Sequence, residues 1–396
     1  LWRFLTEWWP VLLAIIAATV LVSFVALSAL IFIWMERKVA GRMQDRLGPT
    51  RVGGKFGWLQ TVADGVKLLV KEDIVPADAD SFLFRIAPYV AFCGAFVPFV
   101  ALPFGNRLVA QNLNVAIFFM LAVMSSEVFG VILSGYGSGS KWSLFGGIRE
   151  AAQVVSYEVP RAMCVLLPVI LAGTLNLNTI ANKQAGFIWH WYIFNDPFTF
   201  VAFWVFFICG TASCKRAPFD LAEAESELVA GFHTEYSGLR WSLFFMAEYG
   251  SMFAISAIAV TLFLGGWNLG VPWERLLPFD ANGWTYIIIF NTISAVIFIL
   301  KGFALVFVMM WVRWTLPRLR IDQVMTTCLK YLLPISCVLL MGQTLWLLLV
   351  PAVIRPYVPF ALAILTLVPF VDVFRRMMFA PPPKNLIPTT WDAVRA

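Results

Sequence analysis

A chain of 396 residues that is 60% apolar and 13% charged departs strongly from soluble domains, which run about 45–50% apolar and about 25% charged. Together with a mean hydropathy of +0.81, this excludes a string of soluble domains and identifies an integral membrane protein. The net charge of +6 is assigned below to topology, so nucleic acid is not an expected partner.

A spanning helix needs about 20 apolar residues, because the hydrocarbon core is about 30 Å thick. On that scale the sequence predicts helices near 10–35, 83–104, 115–135, 152–175, 197–214, 241–264, 285–312, 330–354 and 357–374. The expected fold is all-α and polytopic, with about nine transmembrane helices. The first apolar stretch is too long for a signal peptide and lacks a small-residue cleavage site. As the chain opens on Leu1, a few residues are expected before it.

Most of the 29 lysines and arginines fall in alternate connections, at 35–82, 136–151, 215–240, 313–330 and beyond Arg375. Basic loops face the cytoplasm, which sets the N-terminus outside and the C-terminus inside. Residues 1–374 are read as one transmembrane domain with cytoplasmic connections at 36–82, 215–240 and 313–330. Residues 375–396 are read as a cytoplasmic tail. In the first connection Trp58, Leu59, Val62, Val66 and Leu69 recur at helical spacing, with Asp64, Lys67 and Lys71 between them. This predicts an amphipathic helix lying at the membrane interface.

The six cysteines include no C-x-x-C pair, and with two histidines they offer no metal, haem or iron–sulfur site. No glycine-rich nucleotide loop follows a strand, so no nucleotide site is visible in the sequence. No internal repeat is visible, which argues against an inverted-repeat transporter.

Charges that the membrane makes expensive carry the functional signal. Glu127, Glu158, Glu248 and Lys301 lie in predicted spans, where each costs on the order of 3 kcal/mol unless it meets a partner or a wet cavity. Glu158 and Arg161, spaced i, i+3, can pair. For Glu127 and Lys301 a structural ion pair or a snorkelling end is as good a reading as a functional one. The connection "KRAPFDLAEAESELVAGFHTEYSG" is unusually acidic. Pro218 is placed to start a short helix, on which Asp220, Glu223 and Glu227 would share a face and Glu225 would point elsewhere. Such stacked carboxylates share protons, so the stretch reads as a proton relay rather than a solvated face. Glu36, Arg37 and Lys38 form a charged trio where the first helix leaves the membrane.

The segments "ERKVAGRMQDRLGPTRVG", "REAAQVVSYEVP", "RAPFDLAEAESELVAGFHTEYSG", "FFMAEY" and "PRLRIDQ" resemble, in order, the signature segments of one membrane-subunit family of respiratory complex I. That family comprises the H subunits of proton-pumping NADH:quinone oxidoreductase, counterparts of mitochondrial NADH dehydrogenase subunit 1. The resemblance implies a bacterial inner-membrane subunit that joins the membrane arm to the peripheral arm and forms much of a narrow quinone chamber. Quinone would be the substrate bound here, while NADH, FMN and iron–sulfur clusters would belong to partner subunits. Peripheral-arm quinone-site subunits and small and antiporter-like membrane subunits would be the neighbours.

Matched residue by residue, Arg37, Arg46, Phe232, Phe245 and Met246 fall at chamber positions. Asp64, Glu158, Asp220, Glu223, Glu225, Glu227 and Glu248 fall on the coupling chain, to which the residues themselves add Glu127, from the buried charges, and Glu36, from the charged trio. Arg149, Tyr157, Arg216, Arg313 and Arg318 are supporting polar positions, and Arg320 belongs to the same late basic loop. Two features depart from the family pattern. Ser213 stands where a glutamate is usual, and the unusual Lys215 is expected to face the cytoplasm, with a water and Glu158 or Glu248 filling the gap beside Ser213. The ninth helix exceeds the family core of eight. A membrane subunit of an energy-converting hydrogenase or of a deazaflavin-oxidising dehydrogenase, both distant relatives, is the first alternative. A free-standing ion transporter is the second.

Overall fold

The computed structural model describes residues 2–222, 225–272 and 284–350, and among them every regular element is helical. In chain order these are α1 (Trp2–Met43), α2 (Gln60–Val70), α3 (Ser81–Phe96, continued by a 3₁₀ turn), α4 (Ala116–Ser125), α5 (Glu127–Gly137), α6 (Lys141–Ala172) and α7 (Leu177–Lys183). They continue as α8 (Pro197–Ser213), α9 (Glu225–Leu228), α10 (Gly238–Phe263), α11 (Trp284–Thr315), α12 (Ile321–Thr326) and α13 (Leu333–Leu349). Among the described residues seven helices are long and apolar enough to cross a membrane, and α8 is a shorter apolar one. The protein is a polytopic membrane protein. The predicted helix at 357–374, the tail 375–396 and Glu223 lie outside the described residues, as does the side chain of Glu225.

Local chemistry sets the boundaries. Asp80 caps α3 by accepting hydrogen bonds from the backbone N–H groups of Phe82 and Leu83. Gly173, at φ +64°, closes α6 in the left-handed conformation that glycine adopts most cheaply. Between α12 and α13 the chain widens into a π-helical turn, Thr327–Leu332. Pro334 follows it, and proline offers no N–H to the carbonyl four residues back and crowds it.

Of the extensions beyond the predicted limits, two matter for the site. The first helix continues past residue 35 to Met43, so Glu36 and Arg37 sit on rigid helix instead of a loop. α6 begins at Lys141, not near 152, which puts Arg149 and Glu150 on the helix as well. The amphipathic α2 forms as expected, with Val62, Val66 and Leu69 exposed on it and Trp58 and Leu59 just before it.

α10 is the central post, with 83% of its apolar window buried. α3 and α5 approach closely because small residues meet there: a Cβ on Gly94 would lie 2.6 Å from the Glu127 backbone nitrogen. Small residues at such crossings let membrane helices pack backbone to backbone.

Candidate functional site

α1, α10 and α11 surround a cavity of about 540 Å³, closed on one side by residues 46–49. Glu36, Arg37, Arg46, Phe245, Tyr249 and Arg313 are among its lining residues. The loop after α1 folds back because the Arg46 N–H donates to the Gly41 carbonyl at 2.7 Å and Lys38 Nζ to the Pro49 carbonyl at 2.6 Å. A second cavity, of about 340 Å³, lies between α1, α2 and α10 and is lined largely by apolar groups such as Ala29, Leu68, Trp241 and Met246. Ile33, Arg37 and Phe245 border both. An apolar cavity therefore adjoins a more polar chamber. At their junction Arg37 pairs with Asp64 of α2 at 2.5 Å.

The inner wall of the chamber is a buried ion cluster. Arg216 Nη1 donates to Glu36 Oε1 at 3.0 Å, and Arg216 Nε lies 2.7 Å from Glu248 Oε1. Arg313 Nη1 reaches Glu36 Oε1 at 2.5 Å, and the Tyr249 hydroxyl donates to Glu36 Oε2. The Arg216 guanidinium also stacks 4.4 Å from the Tyr249 ring centroid. Burial disfavours the Arg216 charge, but Glu248 and Glu36 outweigh it and hold the guanidinium above its ordinary range. Two arginines balance two carboxylates here.

One residue earlier in the chain, Lys215 turns the other way. It is buried, contrary to the expectation that it faces the cytoplasm. Its Nζ lies 3.1 Å from Glu127 Oε1, 2.6 Å from Glu150 Oε1 and 5.2 Å from the Phe232 ring centroid. Ser251 Oγ donates to Glu127 Oε2 at 2.6 Å. Burial opposes the Lys215 charge, yet Glu150 and Glu127 more than offset it and raise the ammonium above the usual lysine range. Glu127, Glu150, Glu158, Arg161, Ser213 and Lys215 border a small cavity of about 10 Å³, roughly the space of one water probe. Glu158 and Arg161 pair at 3.6 Å as their spacing predicts, and Ser213 Oγ donates to the Cys209 carbonyl. The two clusters meet along α10, where Glu248 and Ser251 stand one turn apart.

The acidic connection does not form the predicted helix from Pro218. Residues 217–222 run as turns, and α9 is only four residues long, so Asp220 and Glu227 do not share a helix face. Each instead meets its own arginine: Arg318 Nη2 lies 3.1 Å from Asp220 Oδ2, and Arg149 Nη1 lies 2.6 Å from Glu227 Oε2. Separate cations stabilise these carboxylates better than stacking like charges. Tyr157 donates its hydroxyl to the Val324 carbonyl at 2.9 Å, tying α6 to α12. Phe232, placed at the chamber by resemblance, borders neither cavity; it packs in a core cluster with Phe84, Tyr236 and Phe244. Lys301 donates to the carbonyls of Leu264, Gly266 and Asn268 just past the end of α10, a structural role.

Glu150 escaped the sequence reading because the predicted helix began after it. Its signal was the run Glu150, Gln153, Val154, Tyr157, Arg161, a buried stripe at helical spacing. Among the described residues no group of three His, Cys, Asp or Glu side chains converges as a metal site.

The sequence model of a family described as NADH dehydrogenase matches residues 16–344. The NADH-quinone oxidoreductase H subunit of Anaeromyxobacter dehalogenans is 46% identical over 354 residues, covering 87% of this chain and 84% of the relative. Its counterpart in Chlorobium luteolum is 47% identical, covering 86% and 91%. That of Bacteroides thetaiotaomicron is 42% identical, covering 84% and 90%. With the matched segments distributed over the helices that build the chamber and both ion clusters, the chain belongs to the NADH dehydrogenase family and is similar over most of its length to NADH-quinone oxidoreductase H subunits.

Proposed function

We propose that this chain is the quinone-site membrane subunit of a bacterial proton-translocating NADH:quinone oxidoreductase. In this reading it sits in the inner membrane with the chamber toward the cytoplasmic side, where peripheral-arm subunits cover connections 36–82, 215–240 and 313–330. Small and antiporter-like subunits flank it in the bilayer. The observation that carries the proposal is the apolar cavity that shares Arg37 and Phe245 with a more polar chamber walled by Glu36, Tyr249 and Arg313. An apolar cavity suits an isoprenoid tail, and a polar end suits a headgroup with two carbonyl oxygens.

Electrons come from NADH through flavin and iron–sulfur groups held by partner subunits. This chain's contribution is to bind, orient and manage charge. Arg37 and Arg46 offer donors at the chamber rim, and Tyr249 and Glu36 present a hydrogen-bonded pair at its wall. Negative charge developing on the headgroup pulls on Arg313 and Arg216, which are the counter-ions of Glu36 and Glu248. Weakening those pairs changes proton affinity along the carboxylates beyond them. That is the coupling route.

Arg46→Ala in the intact complex tests this reading. NADH:quinone reduction should fall at least about tenfold while NADH:ferricyanide reduction, which uses only the flavin end, stays unchanged. Equal loss of both activities in fully assembled complex would contradict the proposal.

A further inference from the structure

The Lys215 cluster is one positive charge short of balance. Glu127, Glu150 and Lys215 are 7%, 1% and 5% exposed, so with both carboxylates ionised the cluster buries a net negative charge. An uncompensated buried ion costs several kcal/mol, and the group neutralises instead. Among the described residues, the charged groups around it do not supply the missing cation. Arg161 is committed to Glu158, while Arg216 and Arg313 are committed to Glu36 and Glu248.

Geometry distinguishes the two carboxylates. Both Glu127 oxygens are engaged, one by Lys215 and one by the Ser251 hydroxyl. Only Oε1 of Glu150 faces Lys215, and its Oε2 is buried with no hydrogen-bond partner. A buried carboxylate oxygen without a donor is costly, whereas the same oxygen carrying a proton is a donor awaiting an acceptor. Glu158 borders the small cavity beside it.

We propose that Lys215, Glu127 and Glu150 form a single-proton store, with Lys215 permanently charged and the proton resting on Glu150. Discharge breaks the O–H bond on Glu150 and forms one on Glu158 across the cavity, and the negative charge moves the opposite way. No electrons change hands. Lys215 thereby fixes the capacity of the store at one, a task the Ser213 hydroxyl cannot perform because it does not titrate. The store deepens the coupling route proposed above and rests on it.

Infrared difference spectra of the intact complex, exchanged between H₂O and D₂O, read the store without relying on turnover. The isotope-sensitive C=O band of a protonated carboxylic acid should lose one group's intensity in Glu150→Gln. It should gain one group's intensity in Lys215→Met, where Glu127 must also protonate. An unchanged band in both variants would overturn the store. Proton translocation per NADH, measured in vesicles of the Glu150→Gln complex, should fall at least severalfold. Full translocation together with the expected band changes would uphold the store and overturn the coupling reading on which it rests.

Discussion

Lys215 and Arg216 are neighbours in sequence, and each is a buried cation between two carboxylates, yet they build different devices. Arg216 uses a planar fork to hold Glu36 and Glu248 at once, stacks on Tyr249 and shares Glu36 with Arg313. That cluster is balanced, aromatic-backed and open to a chamber of about 540 Å³. Lys215 is a point charge facing two carboxylates, beside a void of about 10 Å³. A fork with fixed directions suits a site that must hold its geometry while a ligand comes and goes. A compact ammonium in a sealed pocket suits a site that must hold its charge while a proton comes and goes. The turn at residues 214–216 sends consecutive side chains to the two clusters.

The largest expected effect breaks the balanced cluster. Arg216→Gln strips Glu248 of this counter-ion and leaves Glu36 to Arg313 alone, and removing one member of a buried pair costs about 3–5 kcal/mol. The assembled fraction or thermal stability of the complex should drop sharply, and quinone reduction with it. Lys215→Met should be milder, because its carboxylates can neutralise by taking up a proton. Thermal denaturation of the two variant complexes checks the order; Lys215→Met proving the more damaging would invert the comparison.

The eight described apolar helices were legible because hydropathy over about 20 residues is a local signal. The charges inside them were also legible, since they stand out in apolar sequence. What each charge touches was not. Lys215 finds Glu127 and Glu150 from α5 and α6, and Asp220 finds Arg318 nearly a hundred residues later. Local spacing suggested a helix with stacked acids at 218–227, and these distant arginines outweighed it. Resemblance put Arg37, Arg46, Phe232, Phe245 and Met246 at one chamber; four of them line the two cavities, whereas Phe232 packs in a core cluster, a difference that residue matching alone does not reveal.

A reporter of the Lys215 charge stands beside it. Burial, and then the Lys215 ammonium, lower the His233 imidazole from its usual 6.5 to about 4. The folded protein therefore keeps His233 neutral, and the stability tied to it is present above pH 6.5 and is lost as pH falls toward 4. His233→Gln should blunt the acid destabilisation of the complex in that window and leave stability at neutral pH nearly unchanged. In Lys215→Met the folded-state value should rise, so the low-pH end of that window moves toward higher pH and the acid destabilisation shrinks. No shift with Lys215→Met would mean that the lysine is not charged.

The smallest effect belongs to the rim. Arg149 and Glu227 pair with half of the glutamate side chain exposed, and such pairs contribute about 0–1 kcal/mol. Arg149→Ala should move the melting temperature by no more than a degree or two, well below the change in either buried cluster. A loss comparable to Arg216→Gln would show that this pair carries the weight of a buried one despite its half-exposed glutamate.

Labelling of the intact complex with a photoreactive quinone, its azide carried on the tail, tests the central claim most directly. The account predicts adducts on the α1 stretch from Ala29 to Arg37 and on the α10 stretch from Trp241 to Met246, displaced by excess unlabelled quinone. Displaceable labelling confined to the outer faces of α5 or α13, with both of those stretches unmodified, would contradict it.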